Sequence, residues 1–258
     1  MFVHEVPRND DSLVGDATNL NDRQPDATTT IEHYNRLVDR LYKKVLQMKD
    51  GEQYMIAIAG GPGSGKTTSA LAVAQRLNAR FPNDHPNVAT VIPMDGFHYS
   101  RDDLTAKYGP EALARRGAPW TFDAPAIYKT LTKLKQQKCG ILPTYSRELS
   151  NPVLDGVHVE KYHKILLVEG LYLLHTQDPA WAPLQELWDE RWFVKAPNRT
   201  LQKERLLKRS LQNWSFAKAK QWGKGADGAA RLMESNDVKN MDLLEYCEDG
   251  ADEVIVTY

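Results

Sequence analysis

The 258-residue chain has only two cysteines, Cys139 and Cys247, far apart and outside any CxxC spacing. That argues against a disulfide scaffold or a cysteine-based metal site, and makes a reducing, cytoplasmic setting the expectation. An excess of one charge is also missing: 33 Lys and Arg stand against 34 Asp and Glu, a formal net charge of −1. So even a balance gives no general pull toward nucleic acid or an anionic membrane, and neither is an expected partner. No apolar run approaches the roughly 18 residues of a membrane span, and the N-terminus has no apolar signal core. Internal repeats and low-complexity tracts are absent too. The expectation is a soluble chain, and its 41% hydrophobic residues are ample for a buried core.

Residues 1–27 are polar and acidic, with Glu5, Asp10, Asp11, Asp16, Asp22 and Asp26 against Arg8 and Arg23; they read as a loosely ordered tail. The remainder, 28–258, reads as a single domain with no visible linker. It opens with a helix: Thr29 with Glu32 fits a capping box, and Ile31, Tyr34, Leu37, Val38, Leu41, Val45 and Met48 recur at helical spacing before Gly51. Short apolar strands are expected at 54–59, 88–93, 164–169, 191–195 and 253–257. Helices are expected near 66–80, 102–116, 124–137, 198–213 and 226–246. Continuously apolar strands alternating with helices imply an α/β fold with a parallel sheet covered on both faces. Between 141 and 160 the rhythm breaks. There Asp155-Gly156, between NPVL and VHVE, predicts a hairpin turn and a small β insertion.

Between the first strand and its helix lies Gly60-Gly61-Pro62-Gly63-Ser64-Gly65-Lys66-Thr67, followed by Thr68. The pattern is G-x-x-x-x-G-K-[ST]. Glycines let the backbone turn tightly enough for successive N–H groups to converge on phosphate oxygens, and the helix start adds its unpaired N–H groups and dipole. Lys66 can reach the terminal phosphates and the Thr67 hydroxyl can join a Mg²⁺ shell. The guanine-reading N-K-x-D is missing; NDVKN at 236–240 has the wrong order.

Ligands of parallel sheets sit beyond the carboxyl ends of the strands, where two acids fall. Glu169 closes the strand ILLVE, where a carboxylate is poorly solvated without a cation such as Mg²⁺ or a metal-bound water; a helix cap or an ion pair with a buried lysine is the other reading. Asp95 follows the second strand, with Gly96 permitting an unusual turn that aims it inward. It is assigned to the acceptor hydroxyl, with a second metal ligand or a cap as the other readings.

Residues 199–224 carry Arg199, Lys203, Arg205, Lys208, Arg209, Lys218, Lys220 and Lys224 against Glu204. Arg205 and Arg209, four apart, share a helix face and can brace a transferring phosphoryl group. A solvated basic face is the other reading. WGKGADG (222–228) has the glycines of a hinged lid. An acceptor pocket would draw on Phe97, His98, Tyr99, Trp120, Phe122 and Tyr145, with Arg101 and Arg147 reading a carboxylate or hydroxyl; core packing for half of these aromatics, and a plain surface position for His98, are the other readings. Asn236 and Asn240 could contact nucleotide or cap a helix.

The P-loop, MDGFHYSRDD (94–103), RRGAPWTFD (115–123), PTYSRE (143–148), LLVEGLYLL (166–174) and NRTLQKERLLKR (198–209) come in a telling order. In this, residues 54–257 resemble the phosphoribulokinase / uridine kinase / pantothenate kinase family of P-loop kinases. The Asp-Gly-Phe and Arg-x-Gly-x-Pro-x-x-Phe-Asp blocks look like its pantothenate-kinase side and the small bacterial and fungal kinases similar to it. The resemblance implies a three-layer P-loop NTPase-type sandwich with a five-stranded parallel sheet. It also implies ATP with Mg²⁺, γ-phosphate transfer to a small-molecule alcohol, a base at Asp95, and an Arg-rich lid over about 198–235. Uridine kinases typically carry Asp-His-Pro where this chain has Arg116-Gly117-Ala118-Pro119, and Tyr-Asp where it has Tyr145-Ser146, which argues against uridine. The lid around SNDVKN also departs from the pantothenate kinases. A nucleotide-binding regulatory NTPase whose basic lid holds a macromolecular partner is the alternative, and association into oligomers stays open.

Overall fold

The computed structural model describes residues 26–82, 86–146 and 148–258. The expected N-terminal tail, up to residue 25, and Arg147 lie outside the described residues. Helix α1 spans Ala27–Gln47 and is capped by Asp26, whose carboxylate accepts the Thr28 N–H at 2.7 Å while the Thr29 hydroxyl accepts the Asp26 N–H at 3.4 Å. The capping box thus begins three residues before the expected Thr29, because Thr30 is needed inside: its hydroxyl donates to the Val256 carbonyl. Tyr34, Leu37, Val38, Leu41 and Val45 form the buried face, while Ile31 is exposed.

Strands β1 (Tyr54–Ala59), β2 (Ala89–Pro93), β5 (Ile165–Gly170), β6 (Glu190–Lys195) and β7 (Glu253–Val256) form a parallel sheet in the order β2-β5-β1-β6-β7. Alternate residues feed two cores. Ile56, Ile58, Ile165 and Leu167 pack against α1 and helix α2 (Lys66–Asn78). Met55, Ala57, Leu166 and Val168 face helix α4 (Ala124–Gln137), Trp181 and Trp188. With both faces covered, the strands have no polar side to show, hence their unbroken apolar runs. The result is the expected three-layer α/β sandwich. Burial of each large core side chain such as Leu37 or Trp192 contributes about 1.5–3 kcal/mol. Among the described residues no helix is long and apolar enough to cross a membrane.

The β insertion is present, with its turn elsewhere. Strands β3 (Gly140–Ser146) and β4 (Asn151–Val159) pair antiparallel, so the chain reverses only after Ser146 and before Asn151. Asp155, at φ 60, and Gly156 lie inside β4 as a bulge: Leu142 pairs with Val157 and Thr144 with Val153, so Leu154, Asp155 and Gly156 together oppose Pro143. Proline has no N–H for the ladder, and the bulge falls where that bond is missing.

Two expected helices are broken. In place of 102–116, helix α3 (Arg101–Tyr108) ends at Gly109 and a 3-10 turn runs over Pro110–Arg115. In place of 226–246, helix α7 (Gly225–Leu232) passes through a π-helical turn (Met233–Asp237) into helix α8 (Val238–Asp242). Before these come α5 (Arg199–Gln212) and α6 (Phe216–Trp222). Gly228, read as part of a hinge, is a packing residue: a side chain there would lie 2.1 Å from the Gly223 carbonyl and 2.8 Å from the Trp214 ring.

Candidate active site

The chain leaves β1 at Ala59 and enters α2 at Lys66, and the intervening glycines turn it sharply. Gly63 (φ 77) and Gly65 (φ 93, the N-cap of α2) are left-handed, a conformation costly for other residues. A side chain at Gly63 would also strike Leu206 of α5, at 2.8 Å. Helix α5 lies across the loop, its Gln202 amide donating to the Pro62 carbonyl at 2.8 Å. Since Gly65 offers no capping side chain, the first N–H groups of α2 are available to an anion. A cavity of about 310 Å³ opens here, lined by Gly63, Gly65, Lys66, Thr67, Thr68, Arg205 and Arg209. Gly60, Gly61 and Pro62 complete the loop behind it, and Ser64 is buried beneath.

The sheet register sets the acids. Glu169 pairs in register with Ile58 on one side and Pro93 on the other, so it stands buried at the carboxyl edge between the P-loop strand and β2. Asp95 follows in a 3-10 turn, Met94–Phe97. Gly96 is required there for a different reason from the expected one. Its φ is not positive, but a Cβ would lie 2.3 Å from the Pro143 carbonyl, so glycine lets β3 close over the turn.

Lys66 links loop and acids. The residue is half-buried, but its ammonium lies deep, and this burial pushes its pKa down. Glu169, then Asp95, oppose the shift by attraction; Arg209 reinforces it and Asp237 resists it. Asp237 was not among the residues singled out from the sequence. Burial raises its pKa, against the pull of Arg209, Lys218, Lys66 and Arg115. It closes the π-helical turn, a device common at functional sites and without a reliable sequence signature.

The two lid arginines differ. Arg205 directs its fork at Thr257, with Nη1 2.7 Å from the hydroxyl and Nη2 3.0 Å from the carbonyl oxygen; that hydroxyl donates to the Ser64 carbonyl at 2.7 Å. Arg205 thereby ties α5 to the end of β7 and, through it, to the P-loop. Arg209 instead acts electrostatically on both Lys66 and Asp237.

On the acceptor side, His98 and Tyr145 gather near Asp95. His98 donates its Nδ1–H to the Asp95 carbonyl at 2.9 Å, and its ring lies 3.8 Å from Phe122 and 5.2 Å from Tyr145. Burial lowers the His98 pKa, opposed by Asp95. Burial raises the Tyr145 hydroxyl, countered by Arg116, whose guanidinium sits 5.4 Å from the Tyr145 ring centre. Arg116, read from sequence only as a departure from the uridine-kinase pattern, is in this group. Arg101 is exposed and reaches Tyr145 and Arg116 by charge alone. Tyr99 spends its hydroxyl on Lys107 at 2.9 Å. Trp120 stands apart, exposed and edge-on to Tyr108.

Mg²⁺ usually takes one or two carboxylates plus substrate phosphates rather than an all-protein cage. Among the described residues no three His, Cys, Asp or Glu form such a cage. The exposed Thr67 and the strand-end Glu169 fit the sparser donor set.

Residues 55–211 match the model of the phosphoribulokinase / uridine kinase family. A Schizosaccharomyces pombe protein provisionally named a uridine kinase is 38% identical over 173 residues, covering 66% of this chain and 69% of its own. The ATP-dependent kinase YFH7 of Kluyveromyces lactis is 27% identical over 64% of this chain, which spans about half of that relative, 56%. Among solved structures, a kinase of Silicibacter sp. TM1040, provisionally placed in fructose transport, shares 27% identity with a TM-score of 0.70, covering 86% of this chain and 98% of its own. A D-glycerate 3-kinase of Cryptococcus neoformans, at 16% identity and a TM-score of 0.52 over 88% and 89% of the two chains, is alike in fold. By the match to more than half of its length and by its P-loop, the chain belongs to the phosphoribulokinase / uridine kinase family of P-loop small-molecule kinases.

Proposed function

We propose that the protein transfers the γ-phosphate of ATP to a hydroxyl of a small metabolite, with Mg²⁺. The observation that carries this reading is the position of Lys66, rooted in the phosphate loop and under the pull of both Glu169 and Asp95. Main-chain N–H groups of Gly63 and Gly65, together with Lys66, grip the phosphates, with Thr68 at the mouth. Thr67 and Glu169 would hold Mg²⁺, which would supply positive charge to offset that of the phosphate oxygens. Asp95 receives the acceptor hydroxyl. A carboxylate is too weak a base to ionise an alcohol beforehand, but the transfer is loose and needs only orientation and late removal of the proton. Arg209 adds positive charge where the bond breaks, and Arg205 holds the lid in place for it. His98, Tyr145 and Arg116 shape the acceptor pocket.

The test is incubation of the protein with labelled ATP, Mg²⁺ and a small-metabolite extract, with mass identification of whatever gains phosphate. A panel of pantothenate, glycerate, nucleosides and sugars follows. ATP turnover that rises steeply with one alcohol supports the reading. Turnover indifferent to every metabolite but responsive to a protein or nucleic acid replaces it with a regulatory NTPase.

A further inference from the structure

Residues 115–117, between the 3-10 turn and Trp120, bind the rest of the molecule through side chain–backbone bonds in several directions. Toward the lid, Arg115 Nη1 donates to the Ser235 carbonyl at 2.8 Å. The Asn236 amide donates to the Arg116 carbonyl at 2.8 Å and the Asn240 amide to the Gly117 carbonyl at 3.2 Å. Toward the acceptor side, Arg116 donates to the Ser150 carbonyl at 2.6 Å and to the Tyr99 carbonyl at 3.0 Å. The Gly117 carbonyl also accepts from the Tyr172 hydroxyl at 2.6 Å, so one oxygen joins the lid to the chain just beyond Glu169. Helix capping, one of the two readings open for Asn236 and Asn240 in the sequence, does not describe this.

Both asparagines are buried, at 7% and 1% exposure, and in both the amide donates while its oxygen has no partner. A buried amide that satisfies one half of itself is an expensive way to fasten two segments. Apolar contacts would suffice for a static joint.

Asp237 lies between the two asparagines in sequence. Its attraction to Arg209 and Lys66 uses the same cations that line the phosphate cavity. A polyanion entering the cavity competes for them. The other cations of Asp237 are Lys218 and Arg115, the latter bonded to Ser235 on the same turn. Met241, next to Asn240, packs with Leu206 of α5 where that residue meets Gly63 of the loop. Load applied at the nucleotide therefore passes to residues 115–117, and by reciprocity load applied by an acceptor passes back to the lid.

We propose that Asn236 and Asn240 are positioning residues that couple the phosphate cavity to the acceptor loop through the carbonyls of Arg116 and Gly117. The inference rests on the reading of residues 60–68 as a nucleotide socket, and the test separates the two. Hydrogen–deuterium exchange is followed on the full chain with and without the Mg²⁺ complex of a non-hydrolysable ATP analogue. In the wild type the analogue is expected to slow exchange in 60–68 and also, by about tenfold, in 113–122, a typical size for coupling between sites. In Asn236→Ala/Asn240→Ala the protection of 60–68 should remain and that of 113–122 should disappear. A merely structural bond would raise exchange of 113–122 equally with and without the analogue and leave the difference between them unchanged, which overturns the proposal. Protection confined to 60–68 in the wild type overturns it too, whether or not the variant folds. No protection at 60–68 overturns the socket reading and this inference together.

Discussion

Five of the seven residues that line the phosphate-loop cavity come from one contiguous stretch, Gly63 to Thr68. Around Asp95, by contrast, His98, Arg116 and Tyr145 arrive from a 3-10 turn, a loop and the β3–β4 hairpin, with Arg116 held by the Ser150 and Tyr99 carbonyls and the His98 ring set against Tyr145. A main-chain cradle is fixed by local backbone geometry and tolerates change in its surroundings. A pocket assembled from distant side chains depends on each joint, such as β3 resting on Gly96.

Removal of the cradle's charge should have the largest effect. Lys66→Ala is expected to lower kcat/KM by about 1,000-fold, the upper end for a lost electrostatic contact to a transition state, while the circular dichroism spectrum stays native. Near-normal turnover in that variant would break the distinction at its root. Asp95→Asn should keep nucleotide affinity and lose about 100-fold or more of transfer, as expected for a missing general base; titration of binding alongside turnover checks it. An unchanged rate would reduce Asp95 to a structural role.

Arg205 and Arg209 sharpen the comparison within the lid. Arg209→Ala should reduce kcat by about 100-fold with little change in ATP KM. Arg205→Ala loses its bonds to Thr257 and should instead raise ATP KM and lower Tm by roughly 2–6 °C. If the two variants behave alike, the division of labour between them is wrong. The smallest effect is on the titration of the acceptor side. Burial lowers the pKa of His98, and likewise of His163 and His175. The unfolded chain takes up these protons near pH 6.5 and the native one resists. Their contribution to stability is therefore complete above about pH 6.5 and is lost as pH falls toward the native values. NMR titration of the imidazoles should place His98 below its ordinary range, and a midpoint above it would contradict the buried neutral ring.

How much was legible beforehand follows the same division. The P-loop could be read because its chemistry is local: glycines, then Lys66 and Thr67, between a strand and a helix. Glu169 and Asp95 could be placed because strand ends are visible as the limits of apolar runs. The bulge at Asp155-Gly156 was read as the hairpin turn because a turn and a bulge use the same left-handed residues; which one forms depends on Pro143 across the ladder. Asp237 escaped because its surroundings come from α2, α5, α6 and the 115–117 loop, and because nothing in MESND announces a π turn.

By itself the sequence determined the sheet, its layers and the socket, since hydrophobic period and glycine placement act over neighbouring residues. Only the tertiary structure decided that Arg205 holds Thr257 while Arg209 faces Lys66, and that Asn236 and Asn240 fasten the acceptor loop. Those are choices between partners more than 30 residues apart in the chain, set by which helix faces meet after the core has packed.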